Sequence, residues 1–204
     1  MNKLVLASLC AITIGAGAWL SISQKKNEKL DITGFAFPEP TQLENVSLTS
    51  HQDQPLTADS FKGRWTFIYV GYTFCPDACP LTMTVLNQLH GKLKDKGLDG
   101  DVNMMLVSVD PERDTIEKLK DYVAFFNPSF SAATGTPTAI KDFASQVSAI
   151  YVIPDDRSDP NYLVDHSSSV ILIDPDGAVH AIFTPPQTAA NLADDFVKLS
   201  NRYN

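Results

Sequence analysis

The chain has 204 residues, of which 44% are hydrophobic and 20% are charged, and its formal net charge at pH 7 is −8. This length is enough for one full hydrophobic core, so we expect one globular domain after an N-terminal extension. The acidic balance and the lack of a basic patch argue against a nucleic-acid-binding protein, which would need lysines and arginines to contact phosphates.

The N-terminal 29 residues predict a membrane segment and a polar linker, which leaves residues 30–204 as the folded domain. The 19 residues of 4–22 carry no charge and are just long enough to span a bilayer as an uncleaved helical anchor. Ala16-Gly17-Ala18 also resembles a signal-peptidase site, so cleavage before Trp19 is the alternative. In both cases we expect the domain on the exported side of the membrane, in the bacterial periplasm.

Hydrophobic patterning predicts an α/β domain along the rest of the chain. Alternating segments within residues 31–61 predict an added N-terminal β-hairpin, and the aromatic and β-branched run 65–71 predicts a buried strand. The remaining predicted elements are a helix over 80–96, a strand over 102–109, helices over 116–126 and from 136, a strand over 150–153, a hairpin of 168–173 with 178–183, and a helix from 187. The central order βαβααββα is typical of a thioredoxin-like sandwich, whose sites lie beyond the carboxyl ends of its parallel strands.

Two of the three cysteines, Cys75 and Cys79, follow the first buried strand, and each precedes a proline. Pro80 predicts a helix that begins there with Cys79 at its cap, where the positive end of the helix dipole favours thiolate. If residues 75–79 form a helical turn instead, their i, i+4 spacing still places both sulfurs on one face. The pair therefore predicts a soft-metal site or disulfide chemistry. An inert disulfide is the weaker alternative, because closing so short a loop stabilises little.

One of the four histidines, His166, lies in the loop that enters the strand 168–173, next to the cysteine edge of the predicted fold. We expect the other three, at positions 51, 90 and 180, to be surface or packing residues. Two thiolates and one imidazole would suit copper in both oxidation states, whereas structural zinc usually takes a fourth protein ligand. Asp165 either orients the imidazole or caps the loop.

These residues resemble the Sco family, also called SenC, of membrane-tethered copper proteins that act in cytochrome c oxidase assembly. The resemblance covers most of the domain and rests on the segments Gly71–Pro80, Val107–Thr115, Thr134–Thr136, Val164–Ser167 and Asp174–Gly177. It implies a copper site formed by Cys75, Cys79 and His166. It also implies delivery of copper to the binuclear copper centre of the oxidase, or reduction of that centre's cysteines before loading. Within the second segment, we expect Asp110–Asp114 to be a structural turn with salt bridges.

Two functions from different classes remain open at the level of sequence. The first is a copper metallochaperone whose partner is the copper-receiving subunit of cytochrome c oxidase or another copper or thiol protein. The second is an enzyme, a thiol–disulfide oxidoreductase in which Cys75 attacks and Cys79 resolves. The three residues between the cysteines, and the lack of a proline before Ser168, are unlike an ordinary thioredoxin. A peroxidase is disfavoured because no proline–threonine–cysteine pattern is present.

Overall fold

The computed structural model describes residues 30–203, so the predicted membrane segment and linker lie outside the described residues. From Ile32 onward the chain forms one compact unit. Within residues 30–203, no helix combines the length and the apolar character that crossing a bilayer requires.

The unit contains ten strands, four α-helices and two short 3₁₀ helices within the described residues. The strands are β1 (Phe35–Gln42), β2 (Leu48–Ser50), β3 (Pro55–Leu56), β4 (Trp65–Gly71), β5 (Val102–Ser108), β6 (Ser131–Thr134), β7 (Tyr151–Val152), β8 (Asp165–His166), β9 (Val170–Ile173) and β10 (Ala178–Phe183). The helices are α1 (Ala78–Asp95), α2 (Ile116–Phe126), α3 (Pro137–Gln146) and α4 (Ala189–Tyr203), with 3₁₀ helices at Ala58–Phe61 and Asp99–Asp101.

Eight strands form one mixed sheet in the order β1-β10-β9-β4-β5-β6-β2-β3, and β7 pairs with β8 in a separate two-stranded sheet. Strands β4, β5 and β6 are parallel, whereas β9 pairs antiparallel with β4 and with β10. This mixed α/β arrangement agrees with the predicted thioredoxin-like sandwich. Helix α1 connects β4 to β5 and packs against α4.

The predicted N-terminal hairpin is only partly correct. The segments around Phe35 and Leu48 do not pair with each other, because β1 pairs with β10 at one edge of the sheet and β2 pairs with β6 near the other. A small hairpin does form, but it joins β2 to β3. Alternating polarity shows that a segment is half buried and does not identify the strand beside it.

Strand β4 is the centre of the core and carries the site at its carboxyl end. All seven of its residues are buried, since it lies between β5 and β9 and the sheet is covered on both faces. Near its start, the ring of Trp65 makes edge contacts with Phe196 and Tyr203 of α4. The strand ends at Gly71, shortly before the two cysteines.

Candidate metal centre

Cys75 and Cys79 lie beyond the carboxyl end of β4, as predicted, but the following helix begins earlier than expected. Helix α1 starts at Ala78 with Asp77 as its N-cap, so Cys79 lies in the first turn and the predicted start at Pro80 is wrong. The backbone N–H of Cys79 donates to the sulfur of Cys75 at 3.4 Å. Both side chains are free thiols, so the inert disulfide is not formed in this structure.

The sulfur of Cys79 is fully buried and closely surrounded. It accepts a hydrogen bond from the backbone N–H of Tyr72 at 3.4 Å and one from the hydroxyl of Tyr69 at 3.6 Å. Burial nevertheless raises the pKa of the Cys79 thiol to about 12, and the neighbouring Cys75 adds to this rise. In metal-free Cys79, desolvation therefore outweighs the donated hydrogen bonds, and the thiol form is favoured overall. A metal cation bound in place of the proton would favour the thiolate form of Cys79 instead.

Glycine at position 71 permits this close packing. A Cβ atom at this position would lie 2.7 Å from the Cys79 sulfur and 2.9 Å from Cε1 of Tyr69. Real Cβ contacts are essentially never this short, so any larger residue would displace one of the two side chains. The end of β4 is therefore shaped around the position of the sulfur.

His166 reaches the sulfurs from a different element, strand β8. It lies on β8, where it is paired with Tyr151 of β7, and its Nε2 is 3.5 Å from the Cys79 sulfur. The imidazole is half-buried, and its edge faces the rings of Tyr69 and Tyr72. Burial lowers the pKa of His166, so the ring is neutral at pH 7 and can offer a lone pair to a metal.

The orientation of the imidazole is set by the backbone beside it. Nδ1 lies 3.3 Å from the carbonyl oxygen of Ser167. When Nδ1 carries the proton and donates to that carbonyl, the lone pair of Nε2 faces the Cys79 sulfur. Asp165, the other candidate for this role, has an exposed side chain. The hydrogen bond that orients the ring therefore goes to Ser167, whereas Asp165 acts on His166 through its charge.

The three predicted donor side chains meet at one point. The sulfurs of Cys75 and Cys79 and a ring nitrogen of His166 all lie within 4.8 Å of one another. Cys79 is buried, whereas Cys75 and His166 are half-buried and give access from solvent. Within residues 30–203, no other group of three or more histidine, cysteine or acidic side chains is arranged to hold a metal.

A buried carboxylate that sequence reasoning did not single out supports the cysteine loop. Asp114 accepts hydrogen bonds from the backbone N–H of Thr73 at 2.9 Å, from the hydroxyl of Thr73 at 2.5 Å and from that of Ser108 at 2.5 Å. Its side chain is almost completely buried, and burial raises its pKa despite these donors. Asp114 therefore ties the end of β5 to the segment that leads into Cys75. The turn 110–114 that contains it was expected to be structural.

The expectation of a structural turn with salt bridges at residues 110–114 is confirmed by an ion pair, in which Nε of Arg113 donates to Asp110 at 2.5 Å.

The other histidines and Met83 have packing roles. His51 accepts from the backbone N–H of Ala132, His180 pairs with Asp174, and His90 lies edge-on to Phe130. Met83 is fully buried in the core. None of these side chains belongs to the three-residue cluster.

The SCO1/SenC family model matches residues 39–201 of the chain. An SCO2-like protein from Rickettsia conorii is 34% identical over 181 residues, which cover 86% of this chain and 87% of that protein. The crystal structure of Arabidopsis thaliana ScoI with copper bound aligns with a TM-score of 0.70 and 32% identity, over 81% of this chain and 98% of the other. Bradyrhizobium japonicum ScoI with copper bound aligns with a TM-score of 0.66 and 30% identity, over 76% and 96% of the two chains.

Proposed function

The chain belongs to the SCO1/SenC family, and we propose on that basis that it is a copper metallochaperone whose cargo is held by Cys75, Cys79 and His166. The observation that carries this proposal is that the three donor atoms lie within 4.8 Å of one another. The copper-bound relatives of similar fold support copper as the metal. The proposed destination is the binuclear copper centre of cytochrome c oxidase, in keeping with the family resemblance.

The donor set suits copper better than the other common metals. Thiolates favour Cu(I), and an imidazole that is neutral at pH 7 extends the set to Cu(II). Structural zinc sites normally use four protein ligands, and calcium and magnesium prefer oxygen ligands. The nearest carboxylate in sequence, Asp165, is exposed and is not part of the cluster.

The uneven burial of the two sulfurs suggests how the cargo is exchanged. Cys79 is fully enclosed, whereas Cys75 is half-exposed at the mouth of the site. A thiolate of the partner protein would approach the copper from the Cys75 side and bind it before the ligands of this chain are released. Such an exchange transfers the ion without changing its oxidation state, and the vacated thiolates take up protons from solvent.

The surroundings of the site suit a protein partner. Exposed apolar side chains lie within three residues of each ligand: Phe74 directly precedes Cys75, Leu81 is two residues after Cys79, and Leu163 is three residues before His166. Exposed apolar side chains near a site are typical of surfaces that bind a protein partner. We propose that it receives the copper-receiving subunit of the oxidase, or another copper or thiol protein, while residues 4–22 anchor the chain with its domain on the exported, periplasmic side.

A thiol–disulfide oxidoreductase is the second candidate. The free thiols of Cys75 and Cys79 are close enough for Cys75 to attack a partner disulfide and for Cys79 to resolve the mixed disulfide. The partner disulfide would be reduced to two thiols as the Cys75–Cys79 pair is oxidised to a disulfide. The high pKa of buried Cys79 would slow the resolving step, since the attacking species is the thiolate.

The two candidates are separated by mixing the protein with the soluble copper-receiving domain of the oxidase from the same organism. As a metallochaperone, the copper-loaded protein transfers its ion to the reduced domain, so copper is found bound to that domain after the two proteins are separated. His166→Ala should impair this transfer. If the metal-free protein reduces an oxidised domain at the same rate with and without His166, and loaded protein transfers no copper, the oxidoreductase assignment is correct.

A further inference from the structure

We propose that Arg113 is a positioning residue for the metal site: it clamps the segment that leads to His166 against the segment that leads to Cys75. Loss of the clamp would shorten the time for which the imidazole stays with the two sulfurs. The metal-binding half of this inference rests on the proposed function, whereas the clamp itself can be tested without metal.

The first set of contacts joins Arg113 to the loop before β8. Its Nη1 donates to the backbone carbonyls of Pro160 at 3.0 Å and Tyr162 at 2.9 Å. The guanidinium also lies over the ring of Tyr162, with its central carbon 3.4 Å from the ring centroid. Two backbone bonds and one stacked face fix the loop four to six residues before His166.

The second set of contacts joins Arg113 to the segment between β4 and Cys75. Its guanidinium carbon lies 4.8 Å from the ring centroid of Phe74, which precedes Cys75, and 5.6 Å from that of Tyr72. The hydroxyl of Tyr72 in turn accepts a hydrogen bond at 3.1 Å from the backbone N–H of Val164. Arg113 thus touches both ligand-bearing segments, and Tyr72 connects them a second time beside it.

The third set of contacts fixes Arg113 itself. Asp110 accepts from Nε of Arg113 through Oδ2 at 2.5 Å and from the hydroxyl of Tyr162 through Oδ1 at 2.7 Å. The side chain of Arg113 is 11% exposed and that of Asp110 is 2% exposed. A partly buried arginine with this fork of donors holds a defined geometry, and lysine, which offers one compact ammonium, cannot reproduce it.

The neighbouring Arg157 provides a contrast on the same loop. Its side chain forms an ion pair with Glu112, and both side chains are exposed to solvent. Exposed pairs of this kind contribute little to stability or geometry. Replacing Arg157 therefore removes one arginine charge from the loop without removing the clamp, and Arg157→Met is the matched control for Arg113→Met.

The metal-free test measures hydrogen exchange of the backbone amides of residues 162–167 in the full reduced chain. We expect the amide of Val164 to exchange at least tenfold faster in Arg113→Met than in the parent, and at the parent rate in Arg157→Met. Arg113→Lys should restore less than half of the lost protection. Unchanged exchange in Arg113→Met would overturn the clamp whether or not the protein binds copper.

The metal-dependent test measures the rate at which excess chelator removes Cu(II) from the loaded full chain, followed by loss of the thiolate-to-copper absorption. We expect at least tenfold faster loss for Arg113→Met and the parent rate for Arg157→Met. Cu(I) affinity should change less than threefold, because thiolates alone suit Cu(I). Equal losses of Cu(I) and Cu(II) would show a general structural role and overturn the inference.

A parent that binds no copper would instead refute the proposed function. If Arg113→Met does not fold, Arg113→Lys and Tyr162→Phe, which removes the second bond to Asp110, should still speed Cu(II) loss.

Discussion

Gly71→Ala should displace the buried sulfur of the metal site. The added Cβ would lie 2.7 Å from the sulfur of Cys79 and 2.9 Å from Cε1 of Tyr69, and both of these side chains are fully buried. Neither can swing into solvent, so the strand or the sulfur must move. The backbone conformation is not an obstacle, because Gly71 is not among the glycines with positive φ. Overpacking of this kind typically costs about 1–3 kcal/mol.

The assay is urea unfolding of the reduced, metal-free protein together with a copper titration of the folded variant. We expect the free energy of unfolding to fall by about 1–2 kcal/mol, since alanine recovers up to about 1 kcal/mol by restricting the unfolded chain. Copper affinity should fall by about tenfold or more, because a metal site needs its ligands placed within roughly 0.5 Å.

Gly91→Ala is the matched control for this substitution. Gly91 lies within α1, and a Cβ atom there would meet nothing within 4 Å. Alanine should therefore stabilise the protein by about 0.5–1 kcal/mol through helix propensity alone and leave copper binding unchanged. If Gly71→Ala were as stable as the parent and bound copper equally well, close packing against Cys79 would not be the reason for a glycine at this position.

Three further predictions concern the loop and its titrating groups. Thr73→Val should lower the free energy of unfolding by about 1–3 kcal/mol, because it removes a hydroxyl donor to the buried Asp114 carboxylate. Urea unfolding checks this beside Thr84→Val, a control at an exposed threonine. Copper uptake should release the Cys79 proton, which burial holds with a pKa of about 12. The apparent copper affinity should therefore rise about tenfold or more per pH unit between pH 6 and 8, and a pH-independent affinity would contradict this. The folded pKa of Cys79 is raised from 9.0, so its contribution to the stability of the metal-free protein is complete below pH 9 and is lost as pH rises toward 12; unfolding curves in that range should therefore decline more steeply for the parent than for Cys79→Ala, and equal slopes would contradict this.

The sequence was informative where one local pattern determines one element. Strand β4 has the predicted bounds because seven consecutive aromatic, β-branched and small residues fit only a strand buried on both faces. Strand β10 follows from its Asp174–Gly177 turn and alternating apolar residues. Strand β6, which was not predicted, consists of Ser131-Ala132-Ala133-Thr134. Its small residues have little strand preference, and its position depends on pairing with β5 and β2.

The donor residues of the candidate site could be predicted from the sequence, but the residues that support them could not. Cysteines after a buried strand and a histidine before another strand converge because the fold places both at one edge of the sheet. The roles of Asp114 and Arg113 depend on contacts with residues about 40 to 50 positions away in the chain. The high pKa of Cys79 likewise depends on burial by distant residues, which no spacing of cysteines and prolines can show.

The central claim is a copper site made of Cys75, Cys79 and His166, and a Cu(II) titration of the reduced protein tests it most directly. Visible absorption and electron paramagnetic resonance should be recorded for the parent, for His166→Ala and for the control His90→Ala, whose imidazole lies against Phe130. We expect one Cu(II) per chain, with thiolate-to-copper charge transfer that is lost in His166→Ala and retained in His90→Ala. Equal Cu(II) affinity and an unchanged spectrum in His166→Ala would contradict the claim, as would copper that only oxidises the two thiols to a disulfide and is then released.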